Sequence, residues 1–102
     1  MKIVDAKEFN ELRSNGNVVV DFYADWCGPC KMLGPILETV SKDYPDVNFV
    51  KVNVDENEEL AMEFGIMSIP SVFMLKDGEI VNKFLGVQQE RTLREILDKT
   101  FK

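Results

Sequence analysis

Cys27 and Cys30 are the chain's only two cysteines, and they stand three positions apart in Trp26-Cys27-Gly28-Pro29-Cys30. Two thiols at this spacing can form a reversible disulfide. If residues 27 to 30 make a first helical turn, a rise of ~1.5 Å per residue and a Cα radius of ~2.3 Å put the two Cα atoms ~5 Å apart. A disulfide tolerates that separation, so dithiol and disulfide fit one backbone. A helix N-terminus also presents unpaired N–H groups and the positive end of its macrodipole, which favour a thiolate at Cys27 over a thiol. The thiolate is the nucleophile in thiol–disulfide exchange, which makes Cys27 the candidate attacking residue and Cys30 the candidate resolving one. Two competing readings are a pair of inert buried thiols and a structural zinc site. Zinc takes about four ligands, and two cysteines without a histidine supply only half a thiolate/imidazole set.

The residues around the pair fit the same chemistry. Gly28 lets the turn tighten and leaves Cys27 uncovered, and Pro29 suits a first helical turn because its missing N–H would be unpaired there. The plainer reading, that Gly-Pro only starts a helix, is compatible with this. Trp26 is either core or an apolar wall at the rim of a protein-binding patch. Asp21 is the second chemical signal. A carboxylate inside Val18-Val19-Val20-Asp21-Phe22-Tyr23 is either buried or on a solvent-facing bulge, and burial without a partner raises its pKa. Such a group suits a proton acceptor for Cys30.

The elements that must position these residues are legible from periodicity. Ile3 and Val4 suggest a short edge strand, and Asp5-Ala6-Lys7-Glu8 has capping-box spacing before an amphipathic helix carrying Phe9 and Leu12 and ending near Asn15-Gly16. Val18 to Tyr23 is too continuously apolar for a strand with one wet face, which places it at the centre of a sheet covered on both sides. Met32, Leu33, Ile36, Leu37 and Val40 then recur at helical spacing, with Pro35 inside the helix, where a kink is expected to uncouple the cysteine turn in part. Val47 to Val54 reads as a strand. Asp55 or Asn57 can cap a short helix with Leu60, Ala61 and Phe64, and Gly65 fits its C′ position. Val72 to Leu75 and Glu79 to Leu85 flank Lys76-Asp77-Gly78, a hairpin signal, and a last helix runs from about Gln89 to Phe101.

The resulting order, β-α-β-α-β-α-β-β-α, predicts an α/β fold with a mixed sheet, right-handed crossovers and helices on both faces. Sites in such sheets lie just past the carboxyl ends of central strands. Cys27 follows the central strand at such an end.

Composition narrows the class further. A chain of 102 residues with 45% hydrophobic content and no linker-like stretch is expected to form a single domain over residues 1–102. Surface scaling gives it roughly 5,900 Å² exposed when folded against roughly 17,000 Å² unfolded. A core of that extent needs no disulfide staple, which leaves the cysteine pair free for chemistry. The net charge of −6, without a basic cluster, argues against nucleic-acid binding. No apolar segment is long enough to span a membrane, and Met1-Lys2-Ile3-Val4-Asp5 lacks the pattern of a secretory signal, so a cytoplasmic location is expected. In that compartment a lone Cys-x-x-Cys is more often redox-active or metal-binding than structural.

Taken together, the chain resembles the thioredoxin family over nearly its whole length. The match includes Val20-Asp21-Phe22, Ala24-Asp25-Trp26-Cys27-Gly28-Pro29-Cys30-Lys31, Pro35, Lys51-Val52-Asn53-Val54-Asp55, Ile69-Pro70-Ser71, Asp77-Gly78 and Gly86. It implies a thioredoxin fold with a mixed five-stranded sheet and four helices. It also implies a protein-disulfide reductase that donates electrons to reductive enzymes, is recycled by a thioredoxin reductase, and needs no cofactor beyond the Cys27–Cys30 disulfide. In residues, the resemblance implies that Asp21 lies beneath the cysteine turn and acts through water, with Lys51 near it. It implies a cis bond between Ile69 and Pro70 facing the cysteines, pairing of the Ile69 backbone with an extended substrate segment, and a Gly86 that keeps the groove open. Read alone, Lys51 looks like an exposed strand residue and Gly86 like a turn.

Departures are Tyr23 where many members have Trp, Met67-Ser68 before Ile69-Pro70, and Ser71 for the commoner Thr. They leave the cysteine chemistry intact and bear on partner preference. A monomer is expected. An oxidase or isomerase is the nearest rival, but such relatives commonly carry a His between the cysteines. A redox-independent binding subunit that uses the same apolar groove is the alternative from another class.

Overall fold

The computed structural model describes residues 1–102 and exposes 5845 Å² to solvent. Its strands are β1 (Lys2–Ile3), β2 (Asn17–Tyr23), β3 (Val47–Asn53), β4 (Ser71–Lys76) and β5 (Glu79–Leu85). The helices are α1 (Ala6–Leu12), α2 (Gly28–Ser41), α3 (Glu58–Glu63) and α4 (Glu90–Phe101). One five-stranded sheet has the order β1-β3-β2-β4-β5, with β1 and β2 parallel to β3 and the β2–β4 and β4–β5 pairs antiparallel. This is the mixed thioredoxin fold that the sequence order and the resemblance anticipate.

Alternation along β2 divides the core. Val18, Val20 and Phe22 pack with Phe9 of α1, Leu60 of α3 and Phe64 just after it on one face. Val19 packs on the other face with Leu33 and Leu37 of α2 and Leu93 and Leu97 of α4. Because successive strand residues point to opposite faces, Asp21 and Tyr23 share the α2 side with Val19. The strand at the centre is therefore covered on both sides, and its one carboxylate has nowhere to go but inward.

Local signals explain the ends of the elements. Asp5 caps α1 by accepting a hydrogen bond from the Glu8 N–H at 2.8 Å, a bond of the kind that contributes about 1 kcal/mol. At the end of α3, the Gly65 N–H donates to Met62 O and the Ile66 N–H to Ala61 O. With Gly65 at φ +63°, this is the Schellman closure that favours glycine. Asn57 precedes α3 but makes no side-chain cap. Its amide instead accepts from the Ala6 N–H and donates to Asn53 O, tying α1 to the end of β3. Asp77 and Gly78 both take positive φ in the β4–β5 hairpin, as a two-residue turn of this sequence requires. The kink expected at Pro35 does not divide α2, which continues as one helix from Gly28 to Ser41.

Candidate active site

Cys27 is the residue where the chain leaves the turn after β2 and enters α2. Its backbone is extended, and its sulfur accepts a hydrogen bond from the Cys30 N–H at 3.2 Å. A sulfur thus occupies the place of a helix-capping oxygen, where an N–H and the helix dipole both favour negative charge. Pro29 stands in the first turn. Cys27 and Cys30 form a disulfide with their Cα atoms 5.3 Å apart, close to the separation expected of one helical turn.

The two cysteines face different surroundings. Cys27 forms part of the wall of an open groove of about 580 Å³, with Trp26, Met62, Ile66, Met67 and Ile69 among its other lining residues. Cys30 borders a more polar cleft with Tyr23, Asp25, Lys31 and Lys51. Each cysteine is only 4% exposed, so a partner must enter the groove to reach the Cys27 sulfur. The groove carries the apolar surface such a partner needs: Trp26 is 71% exposed, Met62 80% and Met67 98%. Trp26 is therefore rim and not core, and its Nε1–H donates to Asp55 Oδ2 at 2.8 Å.

Opposite the cysteines, the Ile69–Pro70 peptide bond is cis, and the Ile69 carbonyl oxygen lies 3.8 Å from Cys27 Sγ. Neither the N–H nor the C=O of Ile69 is taken up by a backbone hydrogen bond of the fold. Gly86 is tied behind this loop, its N–H donating to Pro70 O at 2.9 Å. Its φ of +78° is what calls for glycine there, since a Cβ would meet nothing within 4 Å. The structure brings Gly86 to Pro70 but does not make it a wall of the groove.

Asp21 is fully buried, and neither carboxylate oxygen has a hydrogen-bond partner. Burial pushes its pKa up to about 6, against the opposing pull of Lys51. Lys51 is its register partner on β3, which places the lysine at the site and not on an indifferent strand surface. No group of three or more His, Cys, Asp or Glu side chains is arranged to hold a metal ion. No helix is long and apolar enough to cross a membrane.

Sequence reasoning did not find the far wall of the groove. Met62 falls off the stripe formed by Leu60 and Phe64, and Met67 sits in a loop. Apolar residues outside a helix's buried face were the available signal.

Comparison with known proteins agrees with this geometry. The family model described as Thioredoxin matches residues 1–99. The thioredoxin of Bacillus subtilis strain 168 is 44% identical over 102 residues, covering 97% of this chain and 98% of that protein. The thioredoxin of Mycoplasmoides gallisepticum is 48% identical over 96 residues, covering 93% and 96%. The solved structure of Plasmodium falciparum thioredoxin superposes with a TM-score of 0.90 at 39% identity, over 97% of this chain and 98% of that one. A disulfide closing one helical turn at the wall of an apolar groove, on this fold and with these relatives, has one meaning: the chain belongs to the thioredoxin family and is a thiol–disulfide oxidoreductase, a protein-disulfide reductase.

Proposed function

We propose that reduction proceeds by division of labour between the two sulfurs, with the groove as the substrate's seat. In the reduced protein, Cys27 thiolate attacks one sulfur of a substrate disulfide. A Cys27–substrate bond forms, the substrate S–S bond breaks, and the departing thiolate takes a proton. Cys30 then loses its proton, attacks the Cys27 sulfur and expels the second substrate thiolate. Two electrons have passed to the substrate, whose two thiolates take up the proton released from Cys30 and one from water, and the Cys27–Cys30 bridge is restored.

Asp21 is the proton acceptor for Cys30 in this reading, through water entering the cleft beside Lys51. A carboxyl whose pKa burial raises to about 6 is suited to the task, because it is a stronger base than an exposed carboxylate. An ordinary carboxylate would be too weak a base. Trp26, Met62 and Met67 supply apolar contact, and the unpaired Ile69 backbone adds hydrogen bonds to an extended segment of the substrate. Gly28 and Pro29 shape the turn that presents Cys27. Gly86 holds the loop from behind.

A thioredoxin reductase would return the disulfide to the dithiol, with no bound cofactor in this chain. A reducing compartment such as the cytoplasm suits a protein whose only cysteines are its reactive pair. Cys27 is part of the wall of the apolar groove, and no observation favours a binding role that dispenses with the thiols.

The observation that carries this reading is the Cys27 sulfur held between a helix N-terminus and the free backbone of Ile69. Its test is reductase-coupled turnover of a protein disulfide. The intact chain should turn over many equivalents, and Cys27→Ser none. Equal turnover by Cys27→Ser would refute it.

A further inference from the structure

We infer that Tyr23 is a positioning residue, whose ring face holds the Lys51 ammonium in place beside Asp21 and Cys30. The departure of this chain at position 23 then bears on proton handling and not on partner preference, because Tyr23 is buried and lies outside the apolar groove.

Three observations converge on it. Lys51 Nζ stands 4.2 Å from the centroid of the Tyr23 ring, well inside the ~6 Å reach of a cation–π contact. Lys51 makes no ion pair within 4.0 Å, although it lies in register with Asp21 and near Glu38. A second carboxylate, Glu38, is occupied on both oxygens by the Met1 ammonium at 2.7 Å. The ammonium is therefore held by a ring and not by a carboxylate.

The placement matters because Lys51 borders two clefts, of about 340 and 540 Å³, and Cys30 and Lys31 border both. The titratable groups that meet there are Asp21, Tyr23 and Asp25 from β2 and the turn after it, with Lys51 and Glu56 from β3 and the turn after it. Cys30, Lys31 and Glu38 come from α2, with the amino terminus beyond them. On the remaining sides β4 brings Val72, and α4 brings Leu93 and Leu97. Burial keeps the Tyr23 phenol above its ordinary pKa, so the ring stays neutral and its face stays available to a cation. Without that face the ammonium is free to leave for solvent, and Asp21 loses the one charge that favours its ionised form.

The catalytic meaning of this placement rests on Asp21 as proton acceptor; the placement itself does not. The test is NMR titration of the Asp21 carboxyl in the disulfide form of the intact chain, Tyr23→Phe, Tyr23→Leu, Lys51→Met and the Tyr23→Leu/Lys51→Met double variant. Tyr23→Phe keeps the parent midpoint. Tyr23→Leu moves it upward by roughly half a unit or more, and in the Lys51→Met background the same change adds nothing. In the parent protein the Lys51 ε-methylene protons are displaced upfield by the ring, a readout that needs no variant to fold. An unmoved midpoint in Tyr23→Leu, a shift that survives removal of Lys51, or Lys51 protons at ordinary positions would each overturn the inference. If the titrations behave as stated while resolution of the mixed disulfide ignores the Asp21 midpoint, the positioning role stands and the proton-acceptor role falls.

Discussion

The sulfur of Cys27 lies 3.8 Å from the carbonyl oxygen of Ile69, across 42 residues of sequence. Attack and docking therefore share one place: a substrate whose disulfide reaches the sulfur has its neighbouring backbone beside Ile69. Strand addition at that backbone predicts that an N-methyl group on the substrate residue next to the disulfide weakens binding. One lost hydrogen bond of about 0.5–1.5 kcal/mol corresponds to a loss of roughly two- to ten-fold in kcat/KM. Matched peptide disulfides with and without the methyl group supply the measurement.

The buried Asp21 makes a stability prediction of definite sign. Its folded pKa is raised to about 6 from an ordinary 3.8, so the folded state binds the proton more tightly than the unfolded chain. This group's contribution is most favourable below the ordinary value, declines as pH rises between the two values, and is level above about 6. At ~1.36 kcal/mol per unit the full cost is about 3 kcal/mol. Asp21→Asn, whose buried amide keeps part of that cost, is expected to unfold about 1–3 kcal/mol harder than the parent at about pH 8. Denaturant unfolding at about pH 4 should show that gain largely gone.

The same substitution should separate the two chemical steps. Initial attack by Cys27 is expected to change little in Asp21→Asn, while resolution by Cys30 slows about ten-fold or more. Stopped-flow kinetics of mixed-disulfide formation and decay distinguish the two.

Trp26 is the chain's single tryptophan, so its emission reports on the site alone. Asp55→Ala removes the acceptor of its indole N–H and is expected to shift that emission. Because the pair is exposed, the stability loss stays under about 1 kcal/mol. Turnover of protein disulfides should fall by roughly three- to ten-fold as the rim loses its fixed position.

Met62 and Met67 offer flexible, polarisable contact to varied partners. A carboxylate at either position would have to be desolvated when a substrate docks. Met67→Glu and Met62→Glu should each reduce kcat/KM for protein disulfides by about ten-fold, with a small-molecule disulfide reduced at nearly the parental rate. Equal losses on both substrates would remove the methionines from the docking surface.

Much of this was legible in the order of residues, and the reason is locality. The Asp5 cap, the Asp77-Gly78 turn and the Cys27–Cys30 spacing are decided within one turn of chain. The burial of Asp21 follows from its neighbours on a central strand. What was not legible depends on distant elements meeting. Lys51 reaches the Tyr23 ring only because β3 lies beside β2, and Met62 joins Trp26 only because α3 packs at the same end of the sheet as α2. Asn57 has a capping residue's chemistry, yet the proximity of Ala6 and Asn53 gives its amide other partners.

The central claim is that Cys27 attacks and Cys30 resolves, and mass spectrometry of trapped adducts tests it most directly. When Cys30→Ser and Cys27→Ser are mixed with a protein disulfide, the first should accumulate a one-to-one covalent adduct through Cys27. The second should accumulate none. An adduct that builds up on Cys27→Ser through Cys30, with none on Cys30→Ser, would contradict the account.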